Sequence, residues 1–156
     1  KDRTQKINVK ENQKAIRSAI ASTVDKKVVE SRGHKIPQLY PFLVSASFEN
    51  LAKTKDVEKA LLSLGFDEEL ERGEYKKVRP GIGKRRGRPY QRKKSILIVV
   101  SEDCHLIKSA SNVPGVDIAI VNSLNAELLA PGAKPGRVTL WTEKAIDILE
   151  KNKLYI

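Results

Sequence analysis

The sequence is poor in the residues on which several common kinds of protein depend. Its single cysteine, Cys104, excludes an internal disulfide and any zinc site built from several cysteines. No run approaches the ~18 consecutive apolar residues of a membrane-spanning helix, and the opening KDRTQKINVK lacks the apolar core of a signal peptide. We therefore expect a cytoplasmic protein with no membrane partner, stabilised by its hydrophobic core alone.

Methionine is missing altogether, and the chain opens on Lys1, so we expect it to be a piece of a longer protein. Aromatic residues make up only 5% of the chain, but 40% of it is hydrophobic and 31% is charged, which is typical of soluble folded proteins. A length of 156 residues fits one domain. Residues 1–156 are therefore predicted to form a single globular domain.

Acidic residues are absent from residues 76–94, a stretch that we name the basic segment. It carries ten of the 30 lysines and arginines. The rest of the chain has 20 cations and 19 acids, so the net charge of +11 is almost entirely local. The ten cations are Lys76, Lys77, Arg79, Lys84, Arg85, Arg86, Arg88, Arg92, Lys93 and Lys94.

Charges of one sign repel each other and require an anionic partner, whereas a solvated helix face mixes both signs. We favour nucleic acid, because arginine forks match phosphate and Tyr90 offers a ring on which a base or ribose can lie. A membrane surface, another polyanion and a merely solvated loop are the alternatives. The glycines and prolines of the basic segment predict a non-helical backbone that can approach another backbone closely.

Hydrophobic periodicity predicts an α/β fold, with a parallel sheet of about four strands and helices on both faces. The continuous apolar run at 95–100 predicts a central strand buried on both faces. Asn8 with Glu11 is expected to form a capping box, and Thr54 to cap a later helix. The predicted strands are 42–46, 95–100, 116–121 and 137–141, and the main predicted helices are 8–24, 55–64, 103–110 and 142–151.

The best candidates for an enzyme site are Ser101, Cys104 and His105, which follow the central strand at its carboxyl end, where open α/β sheets keep their active sites. Neighbouring helix residues point about 100° apart, so Cys104 and His105 are not expected to pair as nucleophile and base. The stretch GIGKRRG lacks the spacing of a nucleotide-binding loop. We therefore expect no catalytic, cofactor-binding or metal-binding residue.

Two loops are candidates for additional contacts with nucleic acid. In SRGHKIP, Arg32 and His34 lie beside Lys35, and the His34 ring either stacks on or donates to RNA or serves the loop itself. In APGAKPGR, Lys134 and Arg137 belong to a connection between strands, with a minor RNA contact as the alternative.

Four stretches resemble the archaeal and eukaryotic type of large-subunit ribosomal protein L-four. They are SRGHKIP, GIGKRRGRPYQRKKSILIVVS, NAELLAPGAKPGRVTLWTEKAIDIL and the opening KDRTQKINVKENQKAIRSAIA. The resemblance implies a Rossmann-like α/β domain that binds large-subunit ribosomal RNA, contacts neighbouring ribosomal proteins and supports subunit assembly in the cytoplasmic ribosome. It also implies no catalysis, no cofactor and no small-molecule substrate.

The resemblance further implies that a first strand and helix and a tunnel-lining loop of the family are absent from this chain. The RNA contacts of the family's Gly/Arg-rich motif are carried onto Lys84, Arg85, Arg86, Arg88, Tyr90, Arg92 and Lys93. Two rival functions are an enzyme that uses the ends of its strands and a free-standing regulatory binder of RNA or DNA.

Overall fold

The computed structural model describes residue 2 and residues 5–155. The strands in that part of the chain are β1 (Leu43–Val44), β2 (Lys76–Val78), β3 (Tyr90–Arg92), β4 (Leu97–Val100), β5 (Asp117–Ile120) and β6 (Thr139–Thr142). A parallel sheet has the order β1-β6-β4-β5, and β2 and β3 pair separately as an antiparallel ribbon.

The helices of the same residues differ widely in length. The α-helices are α1 (Val9–Val24), α2 (Lys26–Ser31), α3 (Thr54–Ser63), α4 (Asp67–Glu74), α5 (His105–Ala110), α6 (Ala126–Leu129) and α7 (Glu143–Lys151). Short 3-10 helices are Ala46–Asn50, Ile82–Arg86, Val121–Ser123 and Pro131–Ala133. Of the helices described, none is long and apolar enough to cross a membrane.

The central strand β4 joins two hydrophobic cores, one on each face of the sheet. Ile98 and Val100 pack in the core that includes residues of α3 and α5. Leu97 and Val99 alternate with them and pack in the core that includes residues of α1 and α7. Burial of each such side chain contributes about 1.5–3 kcal/mol. The predicted α/β fold, with a parallel sheet and helices on both faces, is confirmed.

Several local predictions are wrong at the helix ends. Within the described chain, the Asn8 side chain makes no capping hydrogen bond to α1, so the expected capping box does not form. Thr54 lies inside α3, and its hydroxyl donates instead to the Ser109 carbonyl at 3.0 Å. Helices α2 and α4 were not predicted, because short helices with few apolar residues show little hydrophobic periodicity.

Arg137 is a structural residue of the sheet and offers no surface for an RNA contact, whereas Lys134 in the same loop is exposed. Its side chain is 1% exposed. The guanidinium donates to the carbonyls of Ser95 at 2.8 Å and Leu128 at 3.0 Å, and to the Asp117 carboxylate at 2.6 Å. Arg137 therefore joins β5, α6 and the residues that precede β4.

Replacing Arg137 with alanine should lower the free energy of unfolding by about 3 kcal/mol, because two carbonyls lose their donor and the Asp117 carboxylate keeps only Lys94. Urea unfolding measures the change. Lys134→Ala is the control, since Lys134 is exposed nearby and its loss should change stability by less than about 0.5 kcal/mol. Equal midpoints for both variants and the wild type would contradict the structural role of Arg137.

Candidate nucleic-acid interface

The basic segment forms a two-stranded ribbon that is separate from the parallel sheet. Its strands pair Lys76 with Arg92, Lys77 with Gln91 and Val78 with Tyr90. Beyond the strands, the Arg79 N–H donates to the Pro89 carbonyl at 2.8 Å. Residues 76–94 contain no α-helix, but the short 3-10 helix Ile82–Arg86 at the tip was not predicted.

Glycines shape the tip of the ribbon. Gly81 and Gly87 have φ values of 76° and 75°, a conformation that other residues rarely adopt, and they flank the 3-10 turn. At Gly83, an added Cβ would lie 3.0 Å from the Cδ of Arg79. The tip therefore closes over the Arg79 side chain while Lys84, Arg85, Arg86 and Arg88 remain exposed.

The predicted cations are exposed along the whole ribbon, except for half-buried Arg79. The Nε of Arg79 is buried and has no hydrogen-bond partner among the described residues. The Tyr90 ring is 55% exposed, and the Nζ of Lys76 lies 5.9 Å from its centroid, within the range of a cation–π contact. The ribbon thus presents cations and one aromatic ring to the solvent.

A buried carboxylate, Glu69 of α4, lies where the ribbon joins the core. One oxygen accepts from the His34 ring at 2.8 Å and the Ser95 hydroxyl at 2.9 Å. The other accepts from the Lys35 amide at 2.9 Å. The Arg72 guanidinium donates to both oxygens, at 2.5 and 2.8 Å. The Glu69 side chain is 0% exposed, so these donors replace water completely.

The proton position on His34 follows from this geometry. The Nη2 of Arg72 has two hydrogens, and they are directed to Glu69 at 2.5 Å and to the Lys94 carbonyl at 2.8 Å. Arg72 therefore has no hydrogen left on this nitrogen for His34 Nδ1, although the two atoms lie 2.8 Å apart. His34 Nδ1 therefore carries the proton, and this N–H donates a hydrogen bond to Glu69.

Burial and hydrogen bonding fix the charge states of this pair. Burial alone would raise the pKa of Glu69, but hydrogen bonds from His34, Arg72 and the Lys35 amide outweigh it and lower the pKa to about 2. Burial lowers the pKa of His34, and its hydrogen bond to Glu69 opposes this only in part. At neutral pH, Glu69 is therefore ionised and His34 is neutral.

The same group of residues holds the end of the ribbon. Arg72 reaches the Lys94 carbonyl, and the Ser95 N–H donates to the Gly115 carbonyl at 2.8 Å. The Lys94 ammonium donates to the Asp117 carboxylate at 2.9 Å. Lys94, predicted as an RNA contact, is exposed, but its ammonium is already paired with Asp117.

The structure corrects the prediction for His34 in the loop SRGHKIP. The His34 side chain is 3% exposed, because its ring is enclosed by the Glu69 network, so it offers no surface for a base. Arg32 is half-buried, and its guanidinium donates to the carbonyls of Pro131 at 2.6 Å and of Lys134. Both residues position the loops around the ribbon.

Residues of the basic segment and of the two predicted loops, SRGHKIP and APGAKPGR, nevertheless come together around one cleft of about 510 Å³ at the base of the ribbon. We name it the basal cleft. Three of its lining residues, Arg72, Tyr75 and Gln91, were not predicted as contacts. Tyr75 could have been found from the sequence, because it lies directly before the basic segment. Its lining residues are Arg32, His34, Arg72, Tyr75, Lys77, Gln91, Arg92, Lys93, Lys94, Pro131 and Gly132.

The carboxyl end of β4 does not have the geometry of a nucleophilic site. The buried Ser101 hydroxyl donates to the Glu49 carboxylate at 2.8 Å, which also accepts from Thr142 at 2.6 Å. Burial raises the pKa of Cys104, and the negative charge of Glu49 adds to that effect, so the thiolate is disfavoured. Among residue 2 and residues 5–155, no three His, Cys, Asp or Glu side chains are grouped to hold a metal ion.

Comparisons with known proteins give one consistent result. The model of the "Ribosomal protein L4/L1 family" matches residues 1–152. A relative from Methanococcoides burtonii, named "Large ribosomal subunit protein uL4", is 50% identical over 96% of this chain and 59% of its own length. Proteins of the same name from Archaeoglobus fulgidus and Halorubrum lacusprofundi are 46% and 49% identical, over 93% and 94% of this chain and 58% and 60% of their own lengths. The chain thus spans about 60% of the length of these relatives.

The Glu69 network should make the protein less stable as the pH falls. The pKa of His34 is lowered in the folded state, so the unfolded chain binds more protons below about pH 6.5. The pKa of Glu69 is lowered from 4.5 to about 2, so its contribution, on the order of 3 kcal/mol, is present above pH 4.5 and is lost between 4.5 and about 2. Urea unfolding at a series of pH values measures this loss.

Two variants separate this contribution from those of other carboxylates. Glu69→Gln should be destabilised at neutral pH and should lose less stability than the wild type between pH 4.5 and 2, because it has no proton to bind at this site. Glu68→Gln removes the neighbouring carboxylate, which is exposed, and should keep the wild-type pH profile. Parallel profiles for Glu69→Gln and the wild type would show that Glu69 does not carry the effect.

Proposed function

The chain belongs to the ribosomal protein L4/L1 family, and we propose on this basis that it is a structural constituent of the large ribosomal subunit. In this role it binds large-subunit ribosomal RNA through the basic segment and supports assembly of the subunit. Its partners are that RNA and neighbouring ribosomal proteins, and it acts in the cytoplasmic ribosome without catalysis or cofactor.

The distribution of charge is the observation that carries this proposal. Nine of the ten cations in the ribbon are exposed, and the segment that holds them contains no acid. The rest of the chain has nearly equal numbers of cations and acids. A polyanion is therefore attracted to the basic segment, and the remaining surface adds little to that attraction.

The shape of the ribbon suits a folded RNA. Successive side chains of a strand point to opposite faces, so both faces of the ribbon carry cations. These cations can reach RNA backbones that lie on either side of the ribbon. Phosphate neutralisation with release of counterions supplies the affinity, and the shape of the RNA supplies most of the selectivity.

The alternative of an enzyme finds no support at the strand ends. The Ser101 hydroxyl is bonded to a carboxylate, and the pKa of the Cys104 thiol is raised by burial. Neither group is thereby activated as a nucleophile. The matched family is one of ribosomal proteins, which supports a structural role.

Salt dependence tests the proposal. If the ribbon neutralises about six to ten phosphates, RNA affinity should fall about 10³- to 10⁵-fold between roughly 50 and 200 mM salt. The triple variant Arg85→Ala, Arg86→Ala and Arg88→Ala should bind large-subunit RNA more weakly, with a shallower slope of log affinity against log salt. Filter binding of an RNA transcript measures both quantities.

The matched control replaces Lys53, Lys55 and Lys59 with alanine, which removes the same charge from exposed positions far from the basic segment in the sequence. This control should keep the wild-type slope, and both triple variants should keep the wild-type melting temperature. An affinity that is insensitive to salt, or equal losses in the two triple variants, would overturn the proposal.

A further inference from the structure

The basal cleft differs from a flat cationic surface in having both depth and fixed walls. Its volume of about 510 Å³ lies within the ~300–1,000 Å³ range of small-ligand sites. None of its lining residues is acidic. The neighbouring recess of about 870 Å³ has three acids, Glu68, Glu71 and Glu74, beside three cations, so its lining has no excess of positive charge. The basal cleft is therefore the recess of the two that suits a negatively charged ligand.

The cations of the basal cleft fall into two groups. Arg72 is neutralised by Glu69, Lys94 is paired with Asp117, and Arg32 donates to backbone carbonyls. These side chains are fixed and form part of the wall. Their own hydrogen bonds leave them little capacity for a ligand.

The second group is available to a ligand. Lys77, Arg92 and Lys93 are exposed, and within the described chain no side-chain hydrogen bond or ion pair engages them. They extend from the ribbon side of the cleft. Three unpaired cations beside a recess without acids favour a phosphate group as the charged part of the ligand.

The remaining walls favour a nucleotide over a bare phosphate, which would occupy only a small part of the volume. The Tyr75 ring is 63% exposed and can stack on a base. The exposed side-chain amide of Gln91 offers a donor and an acceptor, as the edge of an unpaired base requires. Paired bases of an A-form helix lie inside the duplex, so a base that enters the cleft is unpaired.

We propose that the basal cleft holds one unpaired nucleotide of the bound RNA. Its phosphate lies on Lys77 and Lys93, and its base stacks on Tyr75. This inference rests on the proposed function. The exposed cations of the ribbon contact the RNA backbone, and the basal cleft would in addition bind one nucleotide that has left the base stack.

Removal of the Tyr75 ring is the direct test. Tyr75→Ala should raise the Kd for large-subunit RNA about five- to 150-fold, the range found for the loss of one stacked base. The salt slope should not change, since no phosphate contact is lost. Tyr75→Phe retains the ring and should bind like the wild type. Leu39→Ala, which removes another exposed apolar side chain, should also leave the Kd unchanged.

A second measurement does not depend on any variant. RNA that contains 4-thiouridine is bound to the wild-type protein and irradiated, and mass spectrometry locates the adducts. We expect an adduct on the peptide that contains Tyr75, and we expect AMP added alone to compete only at far higher concentration than the RNA.

The outcomes separate this inference from the proposed function. Wild-type protein that does not bind RNA overturns both. Wild-type protein that binds RNA, together with an unchanged Kd for Tyr75→Ala and no adduct at Tyr75, overturns the nucleotide site alone. Competition by AMP at the same concentration as RNA would indicate a site for free nucleotide and would also overturn it. If Tyr75→Ala does not fold, the adduct on the wild type decides.

Discussion

The buried carboxylate of Glu69 determines where the basic segment sits on this molecule. A carboxylate without access to water is tolerated only when donors satisfy both of its oxygens, and here the donors come from three separate parts of the chain. His34 belongs to the loop after α2, Arg72 to α4, and Ser95 to the residues that precede β4. Satisfying one carboxylate therefore brings together the two elements that lie on either side of the ribbon.

This constraint matters because the ribbon has little means of its own to hold a position. An isolated two-stranded ribbon is marginally stable, and like charges along it add repulsion. The exposed faces of β2 and β3 bury no apolar core. The sheet and its two cores supply a rigid base instead, and Arg72 and Lys94 join the ribbon to that base. Positioning residues buried in the protein thus allow the exposed cations to act at a defined place.

Prediction from sequence succeeded where a property belongs to a continuous stretch of chain. The run at 95–100 indicated a central parallel strand, which is confirmed. The local excess of charge indicated a segment whose cations are exposed, and its contact with RNA stays a proposal. Prediction failed where a property depends on contacts between distant residues: His34 is 35 positions from Glu69, so nothing in its neighbourhood indicated a buried ring. The cleft around Tyr75 arises in the same way, since its walls come from separate stretches and only folding brings them together.

The central claim is that a nearly neutral α/β body holds one cationic ribbon against RNA. Crosslinking with mass spectrometry on intact large subunits tests this most directly, because it maps which side chains reach RNA in the assembled particle. The account predicts RNA crosslinks concentrated in residues 76–94 and absent from the exposed lysines of α3. Crosslinks spread evenly over the surface, or concentrated on α3 with the ribbon unmodified, would contradict it.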